Sequence, residues 1–248
     1  FMNNKNILLT RAARHIALPQ IGEKGQKKIE RSTILIIGIG GIGCAASSYL
    51  ASSGVGQIIL CDFDIVDETN LGRQILYGPD DVGKLKTLCA TKQLKRINPN
   101  IKLSSIPKRL DDEELITIIS NCNVVLDCSD NFSTRFQINS ACVSLGKYLI
   151  SGSAIRFEAQ LAIFGNDYNE LPCYRCLYNK ADETLENCAG NGILSALPGV
   201  VGSLMAVETL KLLSDNYTKA SRLMLYEGLA GEWRELKIKK RFNCPICS

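Results

Sequence analysis

Two pairs of cysteines have the spacing of ligands in a structural metal site. Cys173 and Cys176 form one C-x-x-C unit, and Cys244 and Cys247 form another. Four thiolates from two such units make the closed tetrahedral site that zinc occupies in structural positions. The pairs lie far apart along the chain, so the fold must bring them together. We predict structural zinc, with a redox C-x-x-C or inert thiols as the alternatives.

A second candidate site is a turn that contains four glycines: Gly38, Gly40, Gly41 and Gly43. A β-branched strand pattern precedes the turn and a helix follows it, as phosphate-binding turns require. The first glycine permits the tight turn, the middle two let backbone N–H groups approach phosphates, and the last lets the helix pack on the strand. Asp62 ends the next strand, where a carboxylate would hold ribose hydroxyls. The alternative is a glycine turn without a ligand.

The side chains near this turn favour ATP over a dinucleotide. An oxidoreductase needs a group that moves a proton with the hydride, and the only histidine, His15, lies upstream of the fold. A triphosphate needs cations and a carboxylate for a metal, which Arg73, Lys86 and Asp130 could supply. Each has a plainer interpretation: Arg73 as a surface residue, Lys86 on a solvated helix face, and Asp130 as the cap of the helix at 131–145.

The remaining cysteines divide into one loop residue and a set of core residues. Cys188 lies in the polar, glycine-containing stretch 186–192, where a thiol could act as a nucleophile or sulfur acceptor, or could be idle. The others fall within apolar elements and are predicted to pack in the core: Cys44, Cys61, Cys89, Cys122, Cys128 and Cys142.

The elements that must position these residues alternate between strands and helices. Short buried strands are predicted at 33–37, 57–61, 102–106, 124–126 and 148–150, separated by helices at about 41–53, 84–97, 111–120 and 132–145. One or two helices are expected over 7–31, broken at Pro19 and Gly22. Patterns at 155–164, 223–226 and 233–242 suggest added antiparallel strands, and 193–207 reads as a loop that enters a buried helix. The fold class is therefore α/β: a Rossmann-like, mostly parallel sheet extended by antiparallel strands.

Composition sets broad limits on the class of protein. The 248 residues carry a formal net charge of +4, which is too weak to favour nucleic acid as a partner. The longest apolar run is shorter than a membrane span requires, so no membrane association is expected. We expect a cytoplasmic protein, in which the eleven cysteines stay unpaired, and a single domain over 1–248.

Together these motifs resemble the MoeB/ThiF/HesA family, relatives of the ubiquitin-activating enzymes. The resemblance covers nearly the whole chain and rests on the glycine turn, both C-x-x-C units and four further motifs: Asp62-Phe63-Asp64, Asn70-Leu71-Gly72-Arg73-Gln74, Lys86, and Asp127-Cys128-Ser129-Asp130-Asn131.

The resemblance implies an ATP-dependent adenylyltransferase. Its implied roles place Asp62 on the ribose, Asn70, Arg73 and Lys86 on the triphosphate, and Asp130 on Mg²⁺, with Asp64 and Asn131 in the same nucleotide site. Arg14 resembles an arginine that reaches the nucleotide site of the other subunit of a homodimer, and the four cysteines would bind Zn²⁺. The implied domain has a helical arm at 1–31, a nucleotide-binding half at 32–150, and a partner-binding and zinc half at 151–248.

The implied partner is a ubiquitin-like sulfur-carrier protein of the MoaD or ThiS type, whose C-terminal Gly-Gly enters the site. Its carboxylate is ionised at neutral pH, so attack on the α-phosphorus needs no general base. The product is a carrier acyl-adenylate for molybdopterin or thiamine biosynthesis. The stretch 151–156 resembles MoeB and 186–188 resembles ThiF, which leaves the pathway open with a slight preference for MoeB.

Four residues depart from the family pattern: Ala12, Ala13, Gly72 and Ala159. They bear on the N-terminal arm and the partner groove. Two other functions remain alternatives, an NAD-dependent oxidoreductase and a non-catalytic nucleotide-binding module. The first would reduce nicotinamide without turning over ATP, and the second would bind ATP without exchanging pyrophosphate.

Overall fold

The computed structural model describes residues 11–178, 192–216 and 221–248, which build one eight-stranded sheet. Its strand order is β3-β2-β1-β4-β5-β6-β7-β8. The strands span Thr33–Ile37 (β1), Gln57–Cys61 (β2), Lys102–Ile106 (β3), Val124–Asp127 (β4), Tyr148–Ile155 (β5), Glu158–Phe164 (β6), Arg222–Glu227 (β7) and Glu232–Lys237 (β8).

The first five strands are parallel, because a helix connects each to the next and returns the chain to the same end of the sheet. β1 and β4 lie at the centre and are almost wholly apolar and buried, as strands covered on both faces must be. The order reverses between β1 and β4, which is where ligands bind in open α/β sheets. The connecting helices span Gly41–Ser52 (α3), Lys86–Ile97 (α4), Asp112–Ser120 (α5) and Phe132–Ser144 (α6).

The last strands extend the sheet in antiparallel fashion, as predicted, but their bounds differ from the expected ones. β5 continues to Ile155, five residues beyond its predicted end, and therefore crosses the expected division at 150/151. The pattern at 155–164 contains a two-residue hairpin turn in which Arg156 has φ 53°, so β6 begins only at Glu158. β8 ends at Lys237, because the chain then turns toward the second pair of cysteines.

The remaining helices pack around this sheet. In the N-terminal arm, the predicted break at Pro19 and Gly22 separates α1 (Ala13–Ile16) from α2 (Gly22–Arg31). A short α7 (Tyr174–Leu177) carries the first C-x-x-C unit, and the apolar α8 (Leu197–Leu213) packs against α3. No helix in the described parts of the chain is long and apolar enough to cross a bilayer.

Two apolar clusters cover opposite faces of the sheet. One joins β1 and β2 to α2, α3, α4 and α8; the other lies under α5, α6 and α7. The six cysteines predicted for the core are all buried within these clusters. On the first face, the carboxylate of Glu208 in α8 is 6% exposed and lies 2.6 Å from the Arg222 guanidinium of β7, which ties helix to sheet.

Candidate functional site

A cavity of about 970 Å³ opens at the carboxyl ends of β1, β2 and β4. Its size is at the upper end of the range for small-molecule sites. Ten of the residues predicted for the nucleotide site line it, and they come from five separate segments of the chain. The topological switch between β1 and β4 lies beneath it, as the parallel topology requires.

The glycine turn forms the floor of this cavity and is fixed from both sides. Gly38 has φ 87°, a conformation that favours glycine, and Gly40 and Gly41 line the cavity at the start of α3. A Cβ at Gly43 would lie 2.1 Å from the carbonyl oxygen of Gly38, so this glycine lets α3 begin directly above the turn. Because the start of a helix presents unpaired N–H groups, the floor favours an anion.

Asp62 and Tyr77 hold the peptide of Ile39 inside this turn. The Ile39 amide donates to Asp62 Oδ2 at 2.6 Å, and the Tyr77 hydroxyl donates to the Ile39 carbonyl at 2.8 Å. Asp62 Oδ1 also accepts from the amide of Asp64. Burial raises the pKa of Asp62, although the two amides and nearby Lys86 oppose that rise by stabilising the carboxylate. The Asp62 carboxylate therefore both shapes the turn and lines the cavity.

Lys86 is buried, so its interpretation as part of a solvated face is wrong. Its side chain is 8% exposed, and Nζ lies 2.8 Å from Asp64 Oδ2. The backbone N–H of Lys86 also donates to the Asp64 carbonyl, which fixes the start of α4 beside the end of β2. A buried ammonium is retained only when paired, and here the pair is at the cavity wall. An anionic ligand could share this cation with Asp64.

The segment 70–74 brings a second cation and two amides to the same wall. Arg73 is partly buried and lines the cavity, and its Nη1 donates to the Thr69 carbonyl at 2.8 Å. Asn70 ends a 3₁₀ turn and accepts from the Asp67 amide. Gln74 is 4% exposed, and its Oε1 has no hydrogen-bond partner within the described ranges. This buried acceptor beside the glycine turn is a group that a ligand could satisfy.

The loop after β4 supplies the carboxylate side of the cavity. Asp127 is fully buried and accepts from the Ser129 amide and hydroxyl and from the Ser151 hydroxyl, which fixes the loop against β5. Asn131, not Asp130, caps α6, since its Oδ1 accepts from the Thr134 amide. The interpretation of Asp130 as the cap is therefore wrong. Its exposed carboxylate lines the cavity and is available to a cation.

The far walls contain residues that the sequence reasoning missed. The Arg109 guanidinium lies 4.1 Å from the centre of the Phe63 ring, and both line the cavity on the β2–β3 side. Arg135 is 93% buried behind Asp130 and donates to the Ser129 carbonyl at 2.6 Å. In the sequence, Arg109 is only a basic residue after β3, and Arg135 is only one of several polar residues in a helix. Ala159, one of the departures, is buried on the β6 wall.

The four cysteines of the two C-x-x-C units meet in one cluster, with all four sulfurs within 4.8 Å of one another. Cys173 Sγ lies 3.7 Å from Cys244 Sγ, and Cys176 Sγ lies 3.5 Å from Cys247 Sγ. A tetrahedron with Zn–S bonds of about 2.3 Å has S···S edges of about 3.8 Å, so the cluster fits zinc. Both of these contacts join one unit to the other, as expected for ligands of one shared metal ion.

The surroundings of this four-cysteine cluster act differently on its thiols. Burial opposes ionisation of Cys244, but the backbone amides of Ile246 and Cys247, together with the neighbouring thiols, lower the pKa of the Cys244 thiol to about 7. Burial raises the pKa of Cys173 to about 11, and burial together with the neighbouring thiols also raises the pKa of Cys247. The side-chain amide of Asn139 donates to Cys173 Sγ at 3.7 Å, and the Arg241 amide donates to Cys176 Sγ at 3.4 Å. Such N–H···S contacts support metal-bound sulfur.

Five other residues singled out from the sequence lie apart from the cavity or outside the described residues. Arg14 is exposed on α1 and does not line the cavity of its own chain. In the same arm Ala12 is buried and Ala13 is exposed, while a Cβ at Gly72 would meet open space. Cys188 lies outside the described residues.

Comparison with known proteins assigns the chain to a family. Residues 12–246 match the model of the ThiF family. The chain is 40% identical over 246 residues to the sulfur carrier protein ThiS adenylyltransferase of Escherichia coli, covering 99% of this chain and 97% of the relative. It is also 40% identical over 240 residues to the molybdopterin-synthase adenylyltransferase of Salmonella typhimurium, covering 96% of each.

Other relatives are longer or more distant. The chain is 39% identical to the adenylyltransferase and sulfurtransferase MOCS3 of Xenopus laevis, matching 100% of this chain but spanning only 55% of that protein. A crystal structure of Escherichia coli MccB with ATP has a TM-score of 0.82 at 24% identity and covers 96% of this chain and 74% of that one, which supports the fold. The sequence match over nearly the whole chain identifies it as a member of the ThiF family.

Proposed function

We propose that this chain uses ATP to adenylate the C-terminal glycine of a ubiquitin-like sulfur-carrier protein. The observation that carries the proposal is the convergence of an anion-binding helix start, two cations and an exposed carboxylate in one cavity. The named relatives act on a ThiS sulfur carrier or in molybdopterin synthesis, which supports the same substrate class here.

The triphosphate would lie across the glycine turn. Backbone N–H groups at the start of α3, Lys86 and Arg73 would bind its phosphates, and Asn70 would assist them. The carboxylate of Asp130 would hold Mg²⁺, which uses one or two carboxylates together with substrate phosphates and neutralises charge on the leaving pyrophosphate. Lys86 would then exchange part of its contact with Asp64 for a contact with phosphate.

The nucleoside would extend along the sheet from β1 toward β3. Asp62, at the end of β2, would accept hydrogen bonds from ribose hydroxyls. The next wall along this direction carries Arg109 over Phe63, so the base would lie beside this pair. A guanidinium plane and an aromatic ring are both suitable surfaces for stacking a purine.

The chemistry needs alignment rather than proton transfer. The attacking carboxylate has an ordinary pKa near 3.5 and is already ionised, so the site needs no histidine. Its oxygen forms a bond to the α-phosphorus while the bond from that phosphorus to the bridging oxygen of pyrophosphate breaks. The chain's contribution is to hold the reacting atoms in line and to stabilise the departing negative charge.

The partner and assembly follow from the same proposal. The β5–β6 side of the cavity, near Ala159, would receive the carrier's Gly-Gly tail. We propose a cytoplasmic homodimer in which Arg14 reaches the partner subunit's site, and one adenylation domain over 1–248. The four-cysteine cluster would hold structural zinc, and Cys188 could act as a thiol in a later sulfur-transfer step.

Exchange of labelled pyrophosphate into ATP tests the proposal. The purified chain, with ATP, Mg²⁺ and a Gly-Gly-ended carrier of the ThiS or MoaD type, is expected to show carrier-dependent exchange. Asp130→Ala should reduce exchange by at least 100-fold, whereas Asp80→Ala, an exposed aspartate away from the cavity, should leave it unchanged. ATP binding without exchange would favour a nucleotide-binding module instead, and reduction of bound NAD would favour an oxidoreductase.

A further inference from the structure

Helix α6 lies between the four-cysteine cluster and the nucleotide cavity and touches both. Asn139 and Arg135 are one helical turn apart, so their side chains emerge on the same face. Asn139 is fully buried, and Arg135 is 7% exposed. Apolar residues would pack at lower cost in such positions, so their hydrogen bonds must account for their presence.

Asn139 attaches α6 to the cysteine cluster through two hydrogen bonds. Its Oδ1 accepts from the amide of Tyr174 at 2.8 Å, and its Nδ2 donates to Cys173 Sγ at 3.7 Å. Tyr174 lies between the two cysteines of the first C-x-x-C unit. The backbone geometry of that unit is therefore fixed relative to α6 by one buried amide side chain.

Arg135 carries the same connection to the cavity. Its Nη1 donates to the Tyr174 hydroxyl at 3.3 Å, and its Nη2 donates to the carbonyl of Ser129 at 2.6 Å. Ser129 directly precedes Asp130, the carboxylate assigned to Mg²⁺. One guanidinium thus joins a residue of the cysteine unit to the loop that presents the metal ligand in the nucleotide site.

We propose that Arg135 is a positioning residue that couples the four-cysteine cluster to Asp130. The proposal builds on the proposed function, because it gives Asp130 a Mg²⁺ to hold. With zinc bound, Tyr174 is fixed, and its hydroxyl keeps the Arg135 guanidinium in place. Arg135 in turn holds the Ser129 carbonyl, so that the Ser129–Asp130 peptide stays in a conformation that favours Mg²⁺ binding. Loss of zinc releases Tyr174, and the Asp130 loop loses one of its supports.

A double-mutant cycle on the full chain tests this coupling. The probe is Mn²⁺ in place of Mg²⁺, with an ATP analogue that cannot be cleaved between the α- and β-phosphates, and free Mn²⁺ is measured by electron paramagnetic resonance. Cys247→Ser disrupts the cysteine cluster, and Arg135→Met removes the two hydrogen bonds that Arg135 donates to Tyr174 and Ser129. Each single change should weaken Mn²⁺ binding roughly tenfold, about the loss of one charged hydrogen bond. The double variant should be no more than about twofold weaker than Arg135→Met alone.

Two further variants separate positioning from general packing. Arg135→Lys keeps the charge and one donor toward the Ser129 carbonyl, so it should recover part of the Mn²⁺ affinity. Arg175→Met is the matched control, because Arg175 also links the cysteine unit to α6, by stacking on Phe136. Within the described part of the chain its side chain does not bond to residues 128–131. Arg175→Met should leave Mn²⁺ affinity unchanged.

Amide hydrogen exchange of residues 128–131 provides a readout without nucleotide or activity. Cys247→Ser should speed exchange there in the native background and add little in Arg135→Met. If Cys247→Ser does not fold, Asn139→Ala is the milder disruption of the same connection. The coupling would be overturned if Cys247→Ser sped exchange equally in the native and Arg135→Met backgrounds. It would also be overturned if Cys247→Ser had no effect on these amides. Failure of the native chain to bind Mn²⁺ with the nucleotide would count against the proposed function, and the exchange data would still decide the coupling.

Discussion

Removal of metal from the four-cysteine cluster should lower the melting temperature of the protein by about 8 °C. A metal ion held by the four cysteines, as proposed, would close a loop between Cys173 and Cys244, which are 71 residues apart. Treated as a covalent cross-link, closure of such a loop removes about 15 cal/mol/K of chain entropy from the unfolded state, or about 4.4 kcal/mol at 25 °C. At roughly 2.1 cal/mol/K per residue, 248 residues unfold with about 0.5 kcal/mol/K, which converts the loss into the stated shift.

Calorimetry on matched holo and metal-stripped samples measures this shift, with zinc content determined on the same samples. Cys142→Ala is the control, because Cys142 is buried in the same apolar cluster but lies outside the metal site. Its stability should fall through lost packing while its response to metal removal stays that of the native chain. A shift below about 1 °C with the metal demonstrably gone would show that the cluster does not cross-link the chain.

Three other perturbations probe the nucleotide wall, the thiols and the core. Lys86→Met should reduce kcat/KM for pyrophosphate exchange roughly 10- to 100-fold, because the buried ammonium proposed to bind phosphate is lost. Lys84→Met removes an exposed lysine and should leave kcat/KM unchanged, so equal effects of the two changes would contradict the proposed role of Lys86. Burial raises the pKa of Cys61 to about 12, so in the native protein its alkylation at pH 8 should be at least roughly a thousandfold slower than that of a free thiol. The alkylation rate should rise about tenfold per pH unit toward pH 10, and rapid labelling at pH 8 would exclude that pKa. Arg222→Met leaves the buried carboxylate of Glu208 with only the more exposed Lys211 as an ion partner. It should lower the free energy of unfolding by about 2 kcal/mol in a urea titration, and a loss under about 0.5 kcal/mol would mean that the guanidinium is not needed.

The sequence was sufficient to predict the parts of the site that depend on local pattern. The glycine turn between β1 and α3 has a short-range signal, because each glycine meets a steric need of a strand–turn–helix unit. The four-cysteine cluster was predictable because the spacing of the cysteines alone indicated it. Gly38 and the four cysteines accordingly lie where the spacing placed them.

Residues whose environment depends on long-range packing could not be assigned in the same way. Lys86 and Asp130 each had a plain local alternative, and only the burial of one and the capping of α6 by Asn131 decided between the interpretations. Arg135 looked like one polar residue in a helix, since periodicity does not report which residue a guanidinium meets across the fold. The β5–β6 hairpin was misplaced because its turn contains arginine and phenylalanine rather than glycine.

The separation of the two C-x-x-C units along the chain delays completion of the four-cysteine cluster during synthesis. At about 5–20 residues per second, the ribosome adds the 71 residues between Cys173 and Cys244 in roughly 4–14 s. For that interval the nascent chain offers only two of the four thiols that are proposed to bind zinc. The first pair would therefore lack half of its proposed ligand set, and would be open to oxidation or to other metals, until the second pair emerges.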